Sequence, residues 1–214
     1  MFVSSTIIED IRAMRKAGLA SLAFFYCDFR DDRKKELRGL ISSFLVQLYH
    51  QSDYYFEILS NFYSEHDKGS RAPSDDDLAG CLRELLNLPG LAPVYLIMDG
   101  MDECSNAPVV GSPRSRRAEV LSLVEELVKT PILNLRICVT SRPELDIKDV
   151  LDPLFFHSVS LHDESGQNRD IEDYIKSAIN SRPKKGRWKE EHKELAIDVL
   201  IKGANGMYVA SLNY

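Results

Sequence analysis

None of the four cysteines, Cys27, Cys81, Cys104 and Cys138, stands in a CxxC pair. That spacing gives no sign of zinc, and widely separated thiols in apolar contexts read as buried thiols of a reducing compartment. Long apolar runs are also lacking. None approaches the ~20 residues of a membrane span, and Glu9 and Asp10 come too early for a signal peptide. Positive charge is in deficit, with 27 Lys+Arg against 33 Asp+Glu and a net charge of −6. This excludes bulk affinity for nucleic acid or for an anionic membrane. Internal repeats are absent, as is low complexity beyond short loops. The reading is an intracellular, cytoplasmic, soluble chain. What is present suits a large core: 44% of the 214 residues are apolar and 28% charged. The length fits one large domain, or one domain plus a fragment.

Apolar spacing predicts the elements. In residues 4–17, Ile7, Ile8, Ile11 and Met14 share a helical face, and Gly18 supplies a stop. SLAFFYCDF, 21–29, reads as a buried strand. Leu37, Leu40, Ile41, Phe44, Leu45 and Leu48 mark an amphipathic helix. A second, aromatic-rich helix is expected over 53–65, with Tyr54, Tyr55, Phe56, Phe62 and Tyr63 as core. Ser74 is a good N-cap for a helix burying Leu78, Cys81, Leu82, Leu85 and Leu86. A strand follows at 93–99, a helix at 115–129, and strands at 135–141 and 155–161 with a short helix between them. Helices over 167–181 and 187–202 finish the chain. Alternating helices and continuously apolar strands imply an α/β fold with a parallel sheet covered on both faces.

The segment VYLIMDGMDEC, Val94–Cys104, changes character halfway. Five apolar residues give way to three carboxylates within five positions: Asp99, Asp102 and Glu103. Three close negative charges repel one another, so a metal ion, a basic cluster or water is expected beside them. Ligands of open parallel sheets bind at the carboxyl ends of strands. Asp99 ends one such strand, and Arg142 ends the strand 135–141. An acidic cluster beside an arginine suits magnesium plus a phosphate, because a hard cation needs only one or two carboxylates while it keeps its waters.

VYLIMDGMDEC resembles the Walker B segment of NACHT-type signal-transduction (STAND) NTPases, and LRICVTSRP resembles their sensor strand. With LAFFYCDFRD, LPGLAPVYLI and FHSVSLHDESGQ, the whole chain resembles the nephrocystin-like N-terminal P-loop domain of fungal NACHT proteins, which often carry ankyrin repeats downstream. The resemblance implies a three-layer P-loop NTPase-like sandwich. Asp99 would hold magnesium, with Gly100 as the small position beside it. Asp102 and Glu103 would position the hydrolytic water, and Arg142 would sense the γ-phosphate of ATP or GTP. It also implies protein partners or self-association. The family's first strand and its loop G-x-x-x-x-G-K-[ST] are not found, since no glycine here is followed by lysine. Helix 4–17 is expected to be the one that follows that loop. Residues 1–165 would then be a truncated NTPase core and 166–214 a helical segment leading to a further helical domain. In the family's sheet the first strand lies between the sensor strand and the last strand, here 135–141 and 155–161.

Blander readings stand beside these. Arg114, Arg116 and Arg117 read as a mobile, solvated loop. Cys104 reads as inert, and His157 and His162, five apart on a strand, face opposite sides. Two principal function classes remain: a fragment of a nucleotide-dependent switch that oligomerises, unable to grip nucleotide tightly without its phosphate loop, and a nucleotide-free interaction or scaffold module. A third is a magnesium-dependent phosphohydrolase using the three carboxylates directly.

Overall fold

The computed structural model describes residues 2–107, 114–154, 157, 173, 175–177, 179 and 190–204. In chain order the elements are α1 (Phe2–Lys16), β1 (Ser21–Tyr26), α2 (Leu37–Tyr49), α3 (Asp53–Glu65), α4 (Asp75–Leu86) and β2 (Val94–Asp99). They continue with α5 (Arg116–Lys129), β3 (Leu135–Val139), α6 (Leu145–Leu151) and α7 (Glu190–Ala204). The chain divides into two compact units, Met1–Phe155 and Phe156–Tyr214. In the second, Ile175 is buried and packs with Ile179, Ile197 and Leu200. The expected domain boundary at 165/166 and the expected strand 155–161 lie outside the described residues. So does most of the helix expected over 167–181, of which residues 173, 175–177 and 179 are helical.

The first unit is α/β. Its strands pair in the order β1-β2-β3, and both pairings are parallel. Strand alternation sorts the side chains cleanly. Ala23, Phe25, Val94, Leu96 and Met98 face one way and join Leu40, Phe44, Leu48, Leu82, Val120 and Val124 from α2, α4 and α5. Leu22, Phe24, Tyr95, Ile97 and Cys138 face the other way and meet Ile8 and Ile11 of α1. Helices therefore cover both faces, which is why the strands read as unbroken apolar runs.

The helix ends follow their chemistry. Ser74 and Asp77 form a reciprocal capping box at the start of α4. Gly18 lies at φ +72°, a left-handed conformation that glycine adopts without strain, and the chain leaves α1 there. Gly39 is required for a different reason. A β-carbon there would lie 1.7 Å from the Arg33 carbonyl oxygen, so only glycine lets the turn Asp32–Lys34 rest on α2.

The outer edge of β1 has an unusual closure. Gln47 of α2 and Gln51, two residues past its end, lie four positions apart and each grips one strand residue twice. The Leu22 N–H donates to Gln51 Oε1 at 2.9 Å, while Gln51 Nε2 donates back to the Leu22 carbonyl at 2.6 Å. The Phe24 N–H donates to Gln47 Oε1 at 3.1 Å, and Gln47 Nε2 returns a bond to the Phe24 carbonyl at 2.7 Å. One helical turn rises ~5.4 Å, and two strand residues span ~6.6 Å. Flexible amides absorb that mismatch and take the place of a neighbouring strand.

Two expectations change. Strand β1 stops at Tyr26, short of residue 29, because Asp28 folds the chain back. Its carboxylate accepts from Arg30 N at 3.0 Å, Nε at 2.9 Å and Nη2 at 3.0 Å. Those bonds to Arg30 lower the Asp28 pKa to about 2. The aromatic group of α3 is not uniformly core. Tyr55 is buried and Phe62 packs at the margin, but Tyr54, Phe56 and Tyr63 are more than half exposed. Consecutive aromatics such as Tyr54, Tyr55 and Phe56 spread around a helix and cannot all face inward.

Replacing Gln47 or Gln51 by leucine strands two partly buried backbone groups on β1. Each substitution is expected to lower unfolding free energy by roughly 1–3 kcal/mol, read from urea denaturation curves. Midpoints unchanged from wild type would show that water closes this edge equally well.

Candidate functional site

Beyond Asp99 the chain turns sharply. Gly100 sits at φ +74°, ψ 45°, which favours glycine, and starts a short 3-10 turn, Met101–Glu103. Thr140, just past β3, fixes this turn from the side. Its N–H donates to the Met98 carbonyl and its own carbonyl accepts from Met101 N, both at 2.9 Å. Its hydroxyl accepts from Gly100 N at 3.1 Å and donates to Asp99 Oδ1 at 2.5 Å. The residue that extends the β3 pairing by one bond thus also orients the carboxylate at the tip of β2.

The acidic turn is held from the other side by Arg117, which is only 5% exposed. Its Nε donates to the Cys104 carbonyl at 3.0 Å and Nη2 to the Asp102 carbonyl at 2.6 Å. Nη1 reaches Glu144 at 3.0 Å and Asp146 at 3.1 Å. Burial alone would lower the Arg117 pKa, but the Glu144 and Asp146 carboxylates outweigh it and the pKa rises. The expected solvated arginine loop is therefore wrong for this residue. Arg117 lies in phase with Val120, Leu121, Val124 and Leu127, the buried stripe of α5, and that spacing was the overlooked signal. Arg116 is also partly enclosed, with Nη1 3.6 Å from Glu36 and 3.8 Å from Asp32.

Asp102, Glu103 and Arg142 line a cleft of about 380 Å³ together with Phe29, Lys35, Arg117 and Glu144. The Arg142 N–H donates to Asp102 Oδ1 at 3.0 Å, and its Nε lies 3.3 Å from Oδ2. Glu103 Oε2 accepts from Phe29 N at 3.4 Å. Lys35 Nζ pairs with Asp32 at 2.7 Å. Each cation of the cleft thus has a carboxylate partner. Asp99 does not line it; along β2 it falls in phase with Tyr95 and Ile97, which face α1. The structure brings Asp102, Glu103 and Arg142 together and sets Asp99 on the other side of the strand end.

Cys104 contacts Cys27, with the two sulfurs 3.4 Å apart in the interior. The bond between the thiols, with burial, raises the Cys27 pKa, while the same bond and nearby Arg117 lower that of Cys104. Burial pushes Cys81 to about 12. The thiols are distant in sequence, so nothing in their spacing announced the pair.

Residues 1–142 match the family described as Nephrocystin 3, N-terminal. The chain belongs to that family. Asp99, Asp102, Glu103, Arg117 and Arg142 all fall inside the matched span, as do Cys27 and Cys104. No curated protein and no solved structure matches the chain. No helix among the described residues is long and apolar enough to cross a membrane. Among the described residues, no three histidine, cysteine or carboxylate side chains gather to hold a metal.

Arg117→Met is expected to lower unfolding free energy by about 2–4 kcal/mol, chiefly by stranding the Asp102 and Cys104 carbonyls. Glu144 and Asp146 remain partly in water, which screens their share. Arg117→Lys keeps the charge but cannot meet four separated acceptors, so it should recover less than half of the loss in thermal or urea denaturation. A lysine variant as stable as wild type would show that charge alone suffices.

Proposed function

We propose that this chain is the acid-bearing part of a NACHT-type, P-loop NTPase-like nucleotide switch, with ATP or GTP as the nucleotide and protein partners or self-association as its output. The observation that supports this most is the placement of Asp99. It ends the middle one of the three described strands, and Thr140 just past the next strand fixes its carboxylate. One fixed carboxylate at a strand tip fits a magnesium ion that keeps its waters and its phosphate ligands. In this reading Asp99 holds the metal, which would neutralise phosphate charge when bound. Glu103 and Asp102 face the water side, and Arg142 turns from Asp102 toward the nucleotide.

A second reading has its own support. The cleft cations Lys35, Arg117 and Arg142 are already paired with Asp32, Glu144 and Asp102, and no glycine of the chain is followed by lysine. A nucleotide-free interaction module needs neither. Both readings agree that these 214 residues have no strong grip on a triphosphate.

Isothermal titration with Mg-ATP and Mg-GTP tests this. A dissociation constant of about millimolar or weaker is expected, lost in Asp99→Ala if the carboxylate holds the metal. A micromolar constant would overturn the weak-binding reading. Weak binding that is indifferent to Asp99→Ala would favour the nucleotide-free module.

A further inference from the structure

Cys27 follows β1 and Cys104 follows the turn after β2, so two parallel neighbouring strands deliver their thiols to one place. The sulfurs are 3.4 Å apart. A disulfide is ~2.05 Å long, so about 1.4 Å of approach separates contact from a covalent bond. Cys81 lies in α4, and Cys138 faces α1 from β3, so neither belongs to this pair.

We propose that Cys27 and Cys104 form a dithiol–disulfide site that hydrogen peroxide oxidises, tying the end of β1 to the acidic turn beyond β2. The chemistry balances with one molecule of peroxide. The Cys104 sulfur attacks a peroxide oxygen; an S–O bond forms, the O–O bond breaks, and the departing oxygen leaves as water with the thiol proton. The Cys27 sulfur then attacks the Cys104 sulfenic acid; the S–S bond forms, the S–O bond breaks, and a second water carries off the Cys27 proton. The two thiols lose two electrons, and the peroxide becomes two waters.

Access and direction come from the same geometry. Cys104 belongs to the wall of the cleft and lies beside Arg117, whose charge favours its thiolate. It is 1% exposed, so it reacts in the local openings that admit the oxidant, and Cys27 resolves it. A reducing compartment keeps the pair as thiols, and an oxidant burst closes it. Closure reinforces a link already present, the bond from Phe29 N to Glu103 Oε2, because Phe29 and Glu103 lie two and one residues from the two sulfurs. The proposal is independent of nucleotide binding.

The test uses the full chain, reduced and then treated with stoichiometric hydrogen peroxide, alkylated under denaturing conditions and digested without reductant. Mass spectrometry should find the Cys27 peptide joined to the Cys104 peptide, reversibly with dithiothreitol, with Cys81 and Cys138 alkylated. Recovery of Cys27 and Cys104 as separate alkylated thiols or as sulfonic acids, or their pairing with Cys81 or Cys138, would overturn the proposal. In Cys27→Ala the sulfenic acid on Cys104 has no resolving partner, so its trapping by dimedone should rise several-fold over wild type. Equal trapping in a folded variant would also overturn it. If that variant does not fold, the mapping of the unaltered chain decides.

Discussion

Taking the Arg117 guanidinium out of water obliges the chain around it to answer its N–H groups, and much of the candidate site is arranged by that demand. A buried charge without partners costs several kcal/mol. Here two backbone carbonyls from the acidic turn and two carboxylates from the start of α6 supply them. The same bonds fix the path of residues 102–104 and the position of α6. The reach of Arg117 thereby connects α5, the turn after β2 and the segment after β3. Asp102 and Glu103 point where they do because their backbone is held from below.

The acidic residues that sit close in sequence do not form one cluster. Asp99 belongs to the alternation of β2 and falls on the α1 side, while Asp102 and Glu103 are carried past it by the 3-10 turn to the α5 side. Dividing the charges across the strand end eases the repulsion that their sequence proximity suggests. Asp99 has a hydroxyl from Thr140, Asp102 a guanidinium from Arg142, and Glu103 a backbone N–H from Phe29. Each carboxylate is answered by a different group.

The fold was legible wherever burial is periodic. The stripes of α1, α2 and α4, the Ser74 cap and the three described strands stand close to where apolar spacing puts them, since those patterns record which face meets the sheet. Strand ends were less legible, because Asp28 folds the chain back after β1 through side-chain bonds that no hydrophobic pattern carries. In the site, Asp99, Asp102, Glu103 and Arg142 were visible as charges at strand tips. The roles of Thr140 and Arg117 were not, and a polar residue in phase with a buried stripe is the sign that would have exposed Arg117. The contact of Cys27 with Cys104 depends on strand order and register, which are tertiary facts.

The amide closure of β1 bears on how this protein meets other chains. An open strand edge is a template on which a second polypeptide can crystallise into ribbon. Here that template is met at Leu22 and Phe24 by two glutamines at the end of the protein's own α2, without an additional strand. A stranger arriving at β1 must dislodge Gln47 and Gln51 to reach the N–H groups of Leu22 and Phe24. Among the described strands, the β1 edge is therefore guarded at Leu22 and Phe24, and a newcomer there competes with amides the protein already holds in place.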